Sequence, residues 1–245
     1  MTTTTLPTPT WHTLTDRHLD HATTAVEILA RPWTTRLLHA IHQHGPSTAA
    51  ELSRAIPHLP RATAEDHLTR LADEHLLHPL IHTGPALWSP TPAARALGPL
   101  HHQLLHWWPE TSAHHSRTQR IEHALTLLAR RHTLLILSTL ATTGPTTLHA
   151  LAQRHLTTIS RATVYARGTQ LLLHKLLTSR HPTGSGRGQA YELTHHAHAL
   201  PPILERLSGW YTTHQQPSRA SSGLGAVLPY RPSDLFSDTD LAIDR

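Results

Sequence analysis

The chain has 245 residues, a formal net charge of +5 and a pI of about 10.4. It contains no cysteine, which excludes disulfides, thiolate zinc sites and thiol catalysis and favours a reducing compartment. No stretch approaches the length of an apolar membrane span, and the first ten residues lack the basic and apolar regions of a secretory signal. We therefore expect a cytoplasmic protein that does not span a membrane.

An internal repeat organises the sequence. Short motifs recur in constant order about 100 residues apart: Gly45-Pro46 and Gly144-Pro145, Arg61-Ala62-Thr63 and Arg161-Ala162-Thr163, Trp107 and Trp210. This order predicts two domains, residues 16–112 and 116–213, called here the first repeat and the second repeat. Residues 1–15 and the acidic segment 214–245 have polar, Thr-, Pro- or Ser-rich compositions, so we expect both to be disordered tails.

The first half of each repeat predicts three helices. A first helix ends at Ala30 or Arg130, and a second covers about 34–43 or 133–141 before the Gly-Pro break. A short third helix follows; in the first repeat Thr48 and Glu51 have the spacing of a capping box.

The second half of each repeat predicts a further helix, a hairpin and a last helix. The further helix opens at Arg61 or Arg161, with Ser160 as the N-cap of the second copy, and ends near Leu76 or Leu176. Two extended segments joined by a Gly- and Pro-rich turn predict a small hairpin, or wing, and leucines at helical spacing predict the last helix. The sequence therefore predicts a mainly α fold with small β wings, arranged as tandem winged helix-turn-helix domains.

Several motifs at these places resemble the HxlR-type winged helix-turn-helix family. They are Trp33-Thr34, Ala55-Ile56-Pro57, Tyr191-Glu192-Leu193-Thr194 and the terminal-helix residues Trp107 and Trp210. The resemblance covers about residues 20–110 and 118–212, and it implies a DNA-binding transcription regulator that works as a dimer. Two departures stand out: the cysteine that the family often carries near its N-terminus is absent, and His75 and Lys175 occupy a position that is usually glycine.

The charge is divided unequally between the repeats. The net charge is −1 over residues 21–115 and +8 over residues 116–213, and the remaining residues, 1–20 and 214–245, together carry −2. A concentrated positive charge is typical of a surface that binds a phosphate backbone, so double-stranded DNA is the predicted partner of the second repeat.

The predicted DNA contacts lie mainly on the recognition helix and wing of the second repeat. Side chains at the start of such a helix reach base edges in the major groove, and a basic wing reaches the backbone. The predicted residues of the second repeat are Ser160, Arg161, Thr163, Tyr165, Arg167, Gln170, Arg180 and Arg187. The first repeat offers Arg61, Thr63 and Arg70, but Glu65 and Asp66 on the same helix predict a weaker reader.

The 26 histidines raise the possibility of a metal site. His102 and His106 have the i, i+4 spacing of a zinc-binding pair, and His195, His196 and His198 cluster on a second predicted helix. A third ligand is not evident near either group, so we predict no metal and no cofactor. No catalytic constellation is evident either, because the Gly-rich segment 184–188 lies in a predicted wing, and we predict that the chain is not an enzyme.

Two functions of different classes remain open at this point. The first is a sequence-specific transcription regulator associated with the nucleoid, acting as an intramolecular pseudo-dimer or as a homodimer, with an unidentified small-molecule effector as a further possibility. The alternative is a tandem winged-helix module that binds other proteins in a chromosome-associated assembly.

Overall fold

The structure is a computed structural model that describes residues 9–80, 84–108, 116–180 and 189–215. The fold is mainly helical with small antiparallel sheets, as the sequence predicts. Among the described residues, no helix combines the length and apolarity needed to cross a bilayer.

The first repeat consists of helices interrupted by one two-stranded sheet. In chain order its elements are α1 (Asp16–Leu29), α2 (Thr34–His44), α3 (Ala49–Ala55), α4 (Arg61–Asp73), β1 (Leu77–Leu80), β2 (Leu87–Pro90), α5 (Pro92–Arg95) and α6 (Gly98–Trp107). β1 and β2 pair antiparallel, with Leu77 opposite Pro90.

The second repeat follows the same order. Its elements are α7 (Arg117–Ala129), α8 (Thr133–Thr143), β3 (Thr146–Thr147), α9 (Leu148–Ala150), a π-helical turn (Leu151–His155), α10 (Arg161–Leu173), β4 (Leu177–Arg180), β5 (Ala190–Leu193), α11 (His195–His198) and α12 (Pro201–His214). The three strands form one antiparallel sheet in the order β3-β5-β4. A single bridge between Ser47 and Trp88 marks the equivalent of β3 pairing in the first repeat.

The ends of α4 and α10 show why glycine is favoured at the positions that His75 and Lys175 occupy. His75 and Lys175 adopt positive φ angles of 55° and 56°. At each end the backbone makes two closing hydrogen bonds, such as Leu76 N–H to Leu71 O and Leu176 N–H to Leu171 O, both at 2.8 Å. This is a Schellman motif, which requires a left-handed residue after the helix cap and therefore favours glycine, although both repeats place a larger side chain there.

The two repeats pack against each other through their first and last helices. α1 lies against α12, and α7 lies against α6. The Trp107 indole N–H donates to the carbonyl oxygen of His196 at 2.9 Å, and the Trp210 indole N–H donates to the carbonyl oxygen of Ala93, also at 2.9 Å. Each terminal helix is thus anchored on the short helix of the other repeat, and one continuous apolar core runs through both.

Charged groups reinforce the same junction. Arg36 of α2 forms an ion pair with Glu122 of α7 at 2.9 Å. Arg120 of α7 donates through Nη2 to the carbonyl oxygens of Leu105 at 3.0 Å and Trp108 at 3.3 Å, at the end of α6. These bonds satisfy carbonyl groups that the last turn of a helix leaves without partners.

The expectation of disordered tails is wrong for the residues nearest the domains. Trp11 lies in a 3₁₀ turn (Trp11–Thr13), is buried, and donates through Nε1 to the carbonyl oxygen of Ala197 at 3.1 Å. α12 continues through His214, and the buried Gln215 donates to the carbonyl oxygen of Glu74 at 2.8 Å. Both segments are ordered because their side chains pack on the opposite repeat: the Trp11 indole on the second repeat and the Gln215 amide on the first.

Candidate nucleic-acid interface

α10 is the helix on which most of the predicted contacts fall. Its N-cap is Ser160, whose Oγ accepts from the Thr163 N–H at 3.1 Å, as the sequence predicts. Val164, Gly168 and Leu171 are buried, so one stripe of the helix packs into the second repeat. The remaining positions of the helix therefore face outward or lie at its margins.

The predicted residues of α10 divide into an exposed and a half-buried set. Arg161 and Tyr165 are exposed, whereas Thr163, Arg167 and Gln170 are half-buried. The Thr163 hydroxyl is 2.8 Å from Ser160 Oγ, which ties it to the helix start. The most accessible part of the predicted site is thus the first turn and a half of α10.

Arg167 is held at the margin of the helix. Its Nη1 donates to Gln170 Oε1, and its buried Nε has no hydrogen-bond partner. Burial and, to a smaller extent, the neighbouring Arg130 lower the pKa of the Arg167 guanidinium. Arg130 is therefore a second positive group beside Arg167, and the sequence of α10 alone does not reveal it.

Arg130 belongs to a basic cluster between α7, α8 and the end of α10, defined here as Arg130, Arg167 and His174. Burial lowers the pKa of His174, and the charges of Arg130 and then His123 lower it further. In the first repeat the corresponding pair is Arg31 and Glu74, which form an ion pair at 2.8 Å. The second repeat thus has a histidine where the first has the carboxylate that neutralises its arginine.

A second carboxylate is lost in the same way at the start of the helix. In the first repeat Arg61 forms an ion pair with Glu65 at 2.9 Å, and both side chains are exposed. The corresponding residues of the second repeat are Arg161 and Tyr165, and Tyr165 is 44% exposed. Arg161 therefore stands beside an aromatic ring in place of an acid.

The other predicted residues of the first repeat are less available. Thr63 and Arg70 are half-buried, the Arg70 guanidinium contacts His67 Nδ1, and its Nε is buried without a partner. Together with the Arg61–Glu65 pair, these contacts leave α4 with less free positive charge than α10.

The wing of the second repeat is only partly described. Arg180, at the end of β4, is exposed and lies 3.4 Å from Glu192 on β5. Such an exposed pair contributes little to stability, and Glu192 offsets part of the Arg180 charge, as Glu65 does for Arg61. Arg187 lies outside the described residues.

The predicted histidine pairs do not form a metal site in the described part of the chain. His102 and His106 lie with their Nε2 atoms 3.1 Å apart, but no group of three ligand-type side chains comes together in the described ranges. His196 stacks on Trp107 and serves the junction between the repeats.

Arg130 and His174 are the functional candidates that the sequence analysis missed. The signal was present, because aligning the repeats places Glu74 opposite His174 and Arg31 opposite Arg130. The pattern along α10 does not reveal the cluster, because the charge of Arg130 acts on a histidine 44 positions away in the chain. The equivalent ion pair of the first repeat joins residues 43 positions apart.

No protein-family model matches the chain, and no curated protein sequence matches it.

Proposed function

We propose that the chain is a sequence-specific DNA-binding transcription regulator made of two HxlR-type winged helix-turn-helix domains on one chain. In this proposal α10 is the recognition helix in the major groove, and the hairpin β4–β5 is the wing. The protein acts as an intramolecular pseudo-dimer in the cytoplasm, on the nucleoid. No catalytic step and no cofactor is part of the proposal.

The observation that carries the proposal is that α10 and its C-cap lack all four carboxylates of α4 and its C-cap. The buried and exposed positions of α4 and α10 follow the same pattern from their first residue to their last. Within this common burial pattern, the acids Glu65, Asp66, Asp73 and Glu74 correspond to Tyr165, Ala166, Leu173 and His174. Each helix carries two arginines, Arg61 and Arg70 on α4 and Arg161 and Arg167 on α10. The same number of arginines without the acids favours binding of a polyanion.

In this proposal, different side chains contact the bases and the backbone of the DNA. Arg161 and Tyr165 project from the first turns of α10, where a guanidinium can read guanine and a phenol can reach a phosphate. The basic cluster at the other end of α10 supplies sequence-independent attraction to the backbone. Arg180 and Arg187 are assigned to the wing contact.

The reciprocal tryptophan bonds support the pseudo-dimer. In a two-fold dimer, a residue i of one subunit contacts residue j of the other, and j contacts i. The Trp107–His196 and Trp210–Ala93 bonds have this reciprocity within a single chain. We therefore expect the protein to be a monomer in solution, with a sedimentation mass near 27.2 kDa.

The test is DNA binding by the full chain and by two matched variants. Fragments selected from a random duplex library are titrated by fluorescence anisotropy between about 50 and 200 mM salt, where phosphate contacts lose affinity steeply. Arg161→Gln is expected to weaken binding by about tenfold, corresponding to roughly 1–3 kcal/mol for a base-contacting arginine. Arg61→Gln, the equivalent change in the first repeat, serves as the control and should have a much smaller effect.

Two outcomes would contradict the proposal. One is an absence of salt-dependent binding to any duplex, which would favour the protein-binding module as the function. The other is an equal effect of Arg161→Gln and Arg61→Gln, which would remove the second repeat from its role as reader.

A further inference from the structure

A cavity of about 300 Å³ lies at the junction of the two repeats. The first repeat contributes walls from α2, from the end of β2 and from α5 and α6, and the second repeat contributes the start of α7. Leu38, Leu105 and Ile121 line its apolar part. The space suits a small molecule of one or two rings, because ligand pockets have volumes of this order and are mostly apolar.

Among the described residues, the ionisable groups that line this cavity are all basic. They are His39, His42, His101, His102, Arg95 and Arg117. None of the described lining residues is aspartate or glutamate. Glu122, which follows the lining residue Ile121 in α7, is ion-paired with Arg36 at 2.9 Å and is therefore already neutralised.

Two helices begin at the cavity and add to its positive character. α6 starts at Gly98 and α7 at Arg117, and both residues line the space. The N-terminal ends of helices carry partial positive charge and stabilise anions. The buried Thr35 also lines the cavity, and its hydroxyl has no hydrogen-bond partner among the described residues.

We propose that this cavity binds a small organic carboxylate with an apolar body. The apolar walls hold the body of the ligand, and the guanidinium of Arg117 pairs with its carboxylate, assisted by Arg95. Arg95 already donates through Nη1 to the carbonyl oxygen of Pro90 at 2.6 Å, which holds it at the rim. A guanidinium matches the geometry of a carboxylate and binds it by charge-assisted hydrogen bonds.

His39 and His101 act in this site as neutral hydrogen-bonding groups. Burial, and then the neighbouring His39, lower the pKa of His101 to about 4, and burial with His42 and His44 lowers the pKa of His39. At neutral pH the arginines therefore carry the charge, and the selectivity for an anion rests on them.

The test measures ligand binding to the full chain without DNA, so its outcome does not depend on the proposed function. Benzoate, octanoate and naphthalene-1-carboxylate are titrated by calorimetry at pH 7.5, each against its own neutral amide. At least one carboxylate is expected to bind about tenfold more tightly than its amide, since a charged hydrogen bond exceeds a neutral one by about this factor.

Two charge-removing variants locate the site. Arg117→Gln is expected to abolish the preference for the carboxylate, whereas Arg54→Gln, which removes an exposed arginine outside the cavity, should preserve it. Binding of none of the three carboxylates at millimolar concentration overturns the proposal, as does equal affinity for acids and amides. An equal loss in both variants also overturns it, because the effect would then reflect the net charge of the protein.

Discussion

Trp107 stacks on His196 with ring centroids 4.7 Å apart and an angle of only 3° between the planes. The same indole donates its N–H to the His196 carbonyl oxygen at 2.9 Å. Trp210 and Ala93, at the corresponding places of the opposite repeat, repeat the hydrogen bond without the stacking partner. One residue pair therefore joins packing, a buried hydrogen bond and the attachment of one repeat to the other.

Trp107→Ala should lower the free energy of unfolding by about 3–5 kcal/mol, because it empties a large buried site. Trp107→Phe keeps a ring but loses the indole N–H, and it should lower the free energy by about 1 kcal/mol through the lost hydrogen bond, in addition to any packing loss. The His196 carbonyl would keep only the bond from the Ala199 N–H at 3.3 Å. Urea unfolding followed by far-UV circular dichroism measures both values. Trp88→Phe, in the half-buried sheet of the first repeat, is the control; an effect of Trp88→Phe as large as that of Trp107→Ala would contradict the role of Trp107 as the anchor.

Gly168→Ala should destabilise the protein although alanine favours helices by about 1 kcal/mol over glycine. A Cβ at position 168 would lie 2.7 Å from Leu148 Cδ1 and 2.9 Å from Cδ2, and Leu148 is buried. Overpacking of this kind costs about 1–3 kcal/mol, so the net effect on the free energy of unfolding should be unfavourable.

The first repeat provides the compensating change for this site. It has Ala49 and Leu68 where the second has Leu148 and Gly168, and both residues of the first pair are buried. Combining Leu148→Ala with Gly168→Leu should therefore be less destabilising than the sum of the two single changes. A double variant whose unfolding free energy equals that sum would show that the two positions are not coupled.

Stability should fall as the pH is lowered from about 7.5 to 5. The pKa values of His39, His67, His101, His132, His174 and His196 are all lowered in the fold, with burial as the largest cause. Below the unfolded-state pKa near 6.5, the unfolded chain takes up protons that the native chain does not, so unfolding becomes more favourable. The stability present above that pH is lost as the pH falls through it, and for His101 the loss continues towards a pH of about 4.

His101→Gln isolates the contribution of a single histidine to the pH dependence of stability. The difference in Tm between pH 7.5 and pH 5 should be smaller than in the wild-type chain, because glutamine does not titrate. His149→Gln, which removes an exposed histidine, is the matched control. If the two variants show the same pH dependence, His101 does not contribute in the way its burial implies.

His174→Glu should convert the basic cluster of the second repeat into the neutralised arrangement of the first. The new carboxylate lies where Glu74 pairs with Arg31, so it should pair with Arg130 and leave the fold intact. If the proposed function holds, DNA affinity falls and the slope of log affinity against log salt decreases by about 1. Anisotropy titrations measure the slope, and an unchanged slope with an intact fold would remove the cluster from the DNA contact.

The sequence predicted the elements whose signals are local or repeated. The start of α4 at Arg61 and of α10 at Arg161 follows from the recurring tripeptide, and for α10 also from its Ser160 cap. The buried leucines of α12 follow from helical spacing. The partners of Trp107, Trp210 and Trp11 were not predictable in this way, because each is a backbone carbonyl in the opposite repeat. Every residue has a backbone carbonyl oxygen, so the residue type does not show which carbonyl accepts a tryptophan N–H.

The candidate site was predictable to the extent that it depends on exposure along a single helix. The N-cap role of Ser160 and the exposure of Arg161 agree with the sequence analysis. The half-buried state of Arg167 and the charge of Arg130 beside it depend on tertiary packing, which periodicity does not describe. Whether an arginine has an acid beside it depends in part on tertiary structure. In this respect α4 and α10 differ, although their burial patterns are the same.

The covalent link between the repeats changes what their junction has to achieve. When two identical subunits meet, dilution separates them, and every substitution appears twice. Here the contact around Trp107 and Trp210 forms within one molecule, so its strength does not vary with protein concentration. Because the two repeats have separate sequences, the exposed surface of one can change without the other. A molecule that binds this surface therefore need not be symmetric.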